Sequence, residues 1–181
     1  MVKEVYWHLP GFFIHFYINQ VMLDMMEEFP EKFVDGYTAG SVYGTFPGAV
    51  WNGGRAVFGN VDTTIMKTVI GTYNKMGVPV RFTWTNSLLD ESQIHDEYCN
   101  TIMKLANNGM NQVLCNSKVL EEYLRDKYPD FEYISSTTKR LTKAEDFEKE
   151  LESGFFMAVL DYDLNHDEET LKRIEKYADK V

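Results

Sequence analysis

The stretch VPVRFTWTN, residues 78–86, alternates apolar and polar side chains with the period of a β-strand. One face of this strand is apolar and carries Val80, Phe82 and Trp84. The other face is polar and carries Arg81, Thr83 and Thr85. In a barrel of β–α units the apolar face meets the helices, so Arg81 points inward. A buried arginine needs an acidic partner, and Asp161 is our candidate. Arg81 is then either half of a core ion pair or a substrate-binding residue.

Along the rest of the chain, short apolar runs typical of strands alternate with longer charged segments of helical spacing. Such alternation predicts an α/β fold with a parallel sheet. Five strands are predicted, at residues 34–44, 78–86, 111–116, 131–138 and 155–165. A closed barrel of this type needs about 250 residues. We therefore predict an incomplete TIM-like barrel of about five strands, with an open doubly wound sheet as the alternative.

The predicted helices have local start signals. Asp62 and Ser117 are predicted helix caps, and Thr142 with Glu145 matches a capping box. We predict one α/β domain over residues 1–181. Because the last helix is followed by ADKV, which resembles the approach to a sixth strand, the domain is either complete or the N-terminal part of a longer barrel.

Composition excludes several classes of partner. The formal net charge is -10 and no basic run interrupts it, which argues against binding to nucleic acid or to an anionic membrane surface. No apolar stretch is long enough to span a bilayer. Cys99 and Cys115 have no zinc or redox spacing, so a reducing, cytoplasmic setting is expected.

Polar residues follow each predicted strand, and in parallel α/β folds the carboxyl ends of the strands gather at one rim. Hydroxyls in ISSTTK exceed what one helix cap requires, and the glycines of WNGGR let neighbouring side chains approach the rim. Cationic side chains would hold an anionic group, and amides and hydroxyls would orient it. The predicted substrate-binding residues are Trp51, Arg55, Arg81, Asn86, Ser136, Thr138 and Lys139.

The stretch AVLDYDLNHDEE, residues 158–169, concentrates carboxylates after the last predicted strand. It is not a calcium loop of the D-x-D-x-N-G type, since His166 replaces the required glycine. The later acids fit the first turn of a helix. Asp161 and Asp163 remain as the predicted catalytic pair, for acid–base chemistry or for a divalent cation, although acids also end such strands for solvation alone. The sequence leaves the metal and any other cofactor unknown.

Three segments carry a resemblance: VRFTWTNSLL, QVLCNSKVLEEYLRDKYPDFEYISSTTK and FMAVLDYDLN. Their strand endings resemble those of a group of uncharacterised bacterial proteins of partial TIM-barrel character and, more distantly, of the collagenase-like peptidase family. The resemblance implies that a further strand and a cysteine-containing segment follow this point of the chain. It assigns no peptidase catalytic group to any residue here.

These observations predict a cytoplasmic barrel-type protein that binds a small polar or peptide-like ligand at the carboxyl ends of its strands, with or without catalysis. The alternative is a non-catalytic barrel fragment that assembles with itself or a partner, because an incomplete barrel exposes a strand edge. For that reason we also predict a homo-oligomer. A purely structural domain is the third possibility, if internal ion pairs fill the rim.

Overall fold

The computed structural model describes residues 4–54 and 58–181. Six parallel strands in these ranges form one sheet, in which each strand lies beside the next in sequence. They are β1 (Val5–Pro10), β2 (Tyr37–Gly44), β3 (Val80–Trp84), β4 (Gln112–Cys115), β5 (Glu132–Ser135) and β6 (Met157–Ala158). The sheet curls into a half-barrel, as the incomplete TIM-like barrel predicts. The doubly wound alternative is wrong, because it requires the strand order to reverse at a switch point.

Helices connect the strands. The α-helices are α1 (Phe16–Glu28), α2 (Thr63–Lys75), α3 (Glu97–Ala106), α4 (Lys118–Lys127), α5 (Ala144–Glu152) and α6 (Glu168–Ile174). The predicted caps Asp62 and Ser117 accept hydrogen bonds from backbone N–H groups in the first turns of α2 and α4. The predicted capping box is wrong, since α5 begins after Lys143 without a side-chain cap. No helix in the described ranges is long and apolar enough to cross a membrane.

Two strands differ most from the sequence prediction, and the other four are shorter than predicted. β1 was not predicted from the sequence. In the structure it pairs with β2 along its whole length. The predicted strand at 155–165 contracts to the two residues of β6. The chain turns soon after it, because the Asp161 side chain accepts from the Asp163 N–H at 3.0 Å and the Asp161 carbonyl accepts from the Leu164 N–H at 2.9 Å. The local polar turn therefore overrides the β-propensity of the segment.

The main core lies between the outer face of the sheet and the helices. Val80, Phe82 and Trp84 are fully buried there, as the alternation of β3 predicts. The indole Nε1 of Trp84 donates to the sulfur of Met103 on α3 at 3.2 Å. The opposite, concave face carries the alternate residues of β3, beginning with Arg81.

Candidate functional site

The concave face carries a row of four polar side chains on adjacent strands. Tyr43, Arg81, Gln112 and Glu132 are successive register partners across β2, β3, β4 and β5. Arg81 Nε donates to Gln112 Oε1 at 2.9 Å, and Gln112 Nε2 donates to Glu132 Oε2 at 2.8 Å. We call Tyr43, Arg81, Gln112 and Glu132 the inner polar row. The row is unusual for its place, because bulky branched apolar side chains dominate the interior of a closed barrel of this class.

Arg81 is only 5% exposed within this row. Burial lowers the pKa of its guanidinium to about 10, and the charges of Glu132 and Tyr43 act in the opposite direction. Its hydrogen bond goes to Gln112, whereas Asp161 is ion-paired with Arg140. The predicted Arg81–Asp161 pair is therefore wrong. The register sets Arg81 beside Gln112, and sequence alone does not reveal that register.

His8 on β1 lies next to the row. Its Nδ1 is 2.8 Å from the hydroxyl oxygen of Ser41 on β2, which is fully buried. Burial lowers the pKa of His8 to about 4, and the positive charge of Arg81 acts in the same direction. The imidazole is therefore neutral at pH 7 and offers hydrogen-bonding groups without charge. The position of His8 beside the inner polar row was not predicted, because β1 was not predicted. The apolar and aromatic residues of the V-Y-W-H-L run were nevertheless a strand signal.

The predicted acid pair is held by one cation. Arg140 Nε lies 3.0 Å from Asp161 Oδ2, and Arg140 Nη2 lies 2.8 Å from Asp163 Oδ2. Asp161 is 1% exposed, and the Arg140 guanidinium also lies over the ring of Tyr162 at 4.7 Å. Both carboxylates thus have an internal counter-charge. Arg140 adopts a left-handed backbone conformation with a φ of 54°, a placement that the sequence does not signal.

A metal-binding cluster is not present in the part of the chain that the structure describes. No group of three or more His, Cys, Asp or Glu side chains in it is arranged to hold a metal ion. Asp161 and Asp163 are close enough to share Arg140, but a structural cation site of oxygen ligands needs more donors than two carboxylates supply.

Two of the predicted substrate-binding residues fasten a loop. Trp51 is fully buried, its Nε1 donates to the Gln93 carbonyl at 2.7 Å, and its ring meets that of Trp84 edge-on at 5.7 Å. Asn86 Nδ2 donates to the Val50 carbonyl at 2.8 Å. These contacts tie the segment after β2 to the end of β3. The predicted Arg55 lies outside the described residues.

The segment after β5 uses its polar groups locally. Ser136 Oγ lies 2.8 Å from Thr138 Oγ1 and accepts from the Thr138 N–H at 3.2 Å, which caps a short 3-10 helix. Lys139 instead points to the helical layer, where its ammonium contacts Glu150 and lies 3.4 Å from Glu121. Lys139 and Arg81 therefore lie on different sides of the sheet. The roles of the predicted site residues remain predictions, but their contacts place them in separate local clusters.

The order and curl of the six strands define an α/β half-barrel protein, and comparison with known proteins agrees at the level of the fold. No family model matches the chain, and no curated protein matches it. The solved structure of the U32 peptidase Mk0906 is similar, with a TM-score of 0.56 at 16% identity over 99% of this chain. The match covers 66% of that protein's chain, just under two thirds. It confirms the distant resemblance to the collagenase-like peptidase family as a likeness of fold.

Proposed function

We propose that this half-barrel binds a small polar or peptide-like molecule on its concave face. The inner polar row carries the proposal, because polar side chains occupy an inward layer where this class of barrel holds apolar packing. The solved structure of the same fold is described as a peptidase, which favours a peptide-like ligand. The predicted rim residues support this location less, since Trp51, Asn86 and Lys139 are engaged in internal contacts.

Binding is testable by two-dimensional NMR on the 21.1 kDa chain with a panel of amino acids and dipeptides. We expect amide shifts that cluster on β2 to β5 around the inner polar row. Tyr43→Phe removes a hydroxyl from the row and is expected to weaken binding about threefold to tenfold, the cost of one hydrogen bond. Tyr37→Phe, on the same strand but outside the row, is the matched control and is expected to bind as the unaltered chain does.

Two results would contradict this proposal. If no member of the panel shifts any amide signal at a ligand concentration of about 10 mM, which would reveal even millimolar dissociation constants, the concave face is not a small-molecule site. If the shifts instead cluster at residues 136–139 and 161–163, the ligand sits at the carboxyl-end loops, where the sequence predicts it.

A second candidate function is self-assembly, and a specific surface favours it. Residues 5–23 contain no Asp, Glu, Lys or Arg in a chain of net charge -10. Two such chains repel each other over most of their surfaces but not here. Apolar side chains project from this segment and the rest of α1: Ile14, Tyr17, Ile18, Val21 and Met25 are 57%, 80%, 67%, 55% and 43% exposed. We propose that a second copy of the chain packs on this α1 surface.

Light scattering coupled to size exclusion tests the assembly across a range of protein concentrations. We expect a mass of two chains at high concentration and expect Ile18→Glu to restore a mass of one, because it places a charge in the apolar contact. Leu88→Glu is the matched control, since Leu88 is 88% exposed and lies outside α1. A single-chain mass at every concentration, or equal masses for the two variants, would overturn the assembly.

We also propose a cytoplasmic location, which the two cysteines support. Cys99 and Cys115 are both free and buried. Burial raises the pKa of the Cys115 thiol to about 12 and raises the pKa of Cys99 as well. Unpaired, protonated thiols are typical of reducing compartments.

A further inference from the structure

The guanidinium of Arg81 has unused hydrogen-bonding capacity. Its Nε is bonded to Gln112, but its two terminal amino groups make no hydrogen bond to any residue that the structure describes. The ion pairs found within 4.0 Å in the described ranges involve other cations, among them Lys139, Arg140 and Arg173. A cation that is only 5% exposed and lacks an acidic contact favours an incoming anion, because little water remains to solvate it.

Gln112 fixes the direction of those free groups. Its amide oxygen holds Arg81 Nε, and its amide nitrogen is held in turn by Glu132 Oε2. The chain of two hydrogen bonds keeps the planar guanidinium in one orientation, so binding of an acceptor carries little ordering cost. Gln112 is thus a positioning residue: it separates the Glu132 carboxylate from Arg81, although the negative charge of Glu132 still acts on the guanidinium.

Two further hydrogen-bonding side chains, those of His8 and Tyr43, lie near Arg81. His8 carries no charge at pH 7, and in the tautomer in which Ser41 donates to Nδ1 its Nε2 bears the ring hydrogen. Tyr43 stands beside Arg81 in register and offers a hydroxyl. A site built from one fixed guanidinium and neutral donors binds a planar oxyanion by two parallel hydrogen bonds, the geometry in which arginine exceeds lysine.

We propose that the terminal amino groups of Arg81 form a subsite for the carboxylate of the ligand. This inference rests on the proposed concave-face function and names the ligand class: a small molecule with a free carboxylate, such as an amino acid or the carboxyl end of a short peptide. The carboxylate lies on Arg81, His8 and Tyr43 add neutral hydrogen bonds, and the rest of the ligand extends along the concave face.

The test compares acetate, glycylglycine and glycylglycine amide at pH 7 and constant ionic strength, with the His8 ring signals as the reporter. We expect both acids to shift these signals and the amide to bind at least about tenfold more weakly, since it lacks the charge that Arg81 pairs with. Equal affinity of the acid and amide dipeptides would overturn the carboxylate subsite while leaving the concave-face function intact. If neither the amino acids nor the dipeptides bind anywhere on the chain, both proposals fail.

Three variants assign the effect to this site. Arg81→Gln is expected to weaken acetate binding at least about tenfold, whereas Lys32→Gln, which removes an exposed cation elsewhere, leaves it unchanged. Glu132→Gln removes the neighbouring negative charge, so we expect acetate to bind about twofold to fivefold more tightly. If Arg81→Gln fails to fold, the Glu132→Gln result still decides, because weaker or unchanged binding in that variant contradicts the subsite.

Discussion

Replacing Trp51 by alanine is expected to lower the free energy of unfolding by about 3–5 kcal/mol, the range for deleting a large aromatic from a packed core. Trp51 is fully buried and its ring meets those of Trp84 and Tyr123 edge-on. It also donates to the Gln93 carbonyl across the segment that leads to α3. Chemical denaturation monitored by far-UV circular dichroism measures the change.

The sequence predicts Trp51 as a substrate-binding residue, so the outcome discriminates between two roles. Trp51→Phe keeps most of the ring and is expected to cost less, since chiefly the Gln93 hydrogen bond and part of the ring contact are lost. Leu88→Ala is the surface control, because Leu88 is 88% exposed. If Trp51→Ala retains the full free energy of unfolding but loses ligand binding, Trp51 belongs to the binding surface and its packing is unimportant.

Replacing Asn111 by alanine is expected to lower the free energy of unfolding by about 2–3 kcal/mol. Asn111 is 1% exposed and directly precedes β4. Its Oδ1 accepts from the Val80 backbone N–H at 2.9 Å, and its Nδ2 donates to the Ala106 carbonyl at 2.9 Å. Alanine leaves the buried Val80 N–H without that acceptor, which costs about 1–3 kcal/mol, and the further lost bonds add to it. Urea denaturation of the unaltered and substituted proteins under the same conditions measures the difference.

Asn108→Ala is the matched control, because Asn108 belongs to the same amide network but is exposed. We expect that variant to lose less than about 1 kcal/mol, as one partner in solvent can be replaced by water. Asn111→Ala is also expected to shift the amide signals of Arg81 and Gln112, because Asn111 joins the first residue of β3 to the start of β4. Equal losses for the two variants would mean that Asn111 does not hold this register.

Local features of the fold were predictable because a few neighbouring residues encode them. The alternation at Val80, Phe82 and Trp84 specifies which face of β3 is buried, and Asp62 and Ser117 cap the helices that they precede. The β–α alternation indicates a parallel sheet, since each unit must bury one apolar face. The predicted capping box at Thr142 and Glu145 does not form, because α5 begins one residue later, after Lys143, and the Glu145 carboxylate contacts Arg173 from α6.

The candidate site was less predictable, because it depends on strand register. A residue at a strand end was expected at a common rim, yet Lys139 turns to the helical layer and Trp51 enters the core. Neither orientation follows from composition or periodicity. The position of His8 beside Arg81 was not predicted, because β1 was not predicted. The pairing of Arg140 with Asp161 and Asp163 was not predicted either, because the left-handed turn at Arg140 has no sequence signature.

The α/β class, the buried face of β3 and the net charge of -10 follow from the amino-acid sequence alone. Which charged side chains meet depends instead on the packing of distant segments. Arg81 binds Gln112, which lies 31 positions away, while Asp161 binds Arg140. Periods and caps arise from interactions within a few residues, whereas partners across a sheet are set by register and by the curl of the half-barrel, to which residues distant in sequence contribute together.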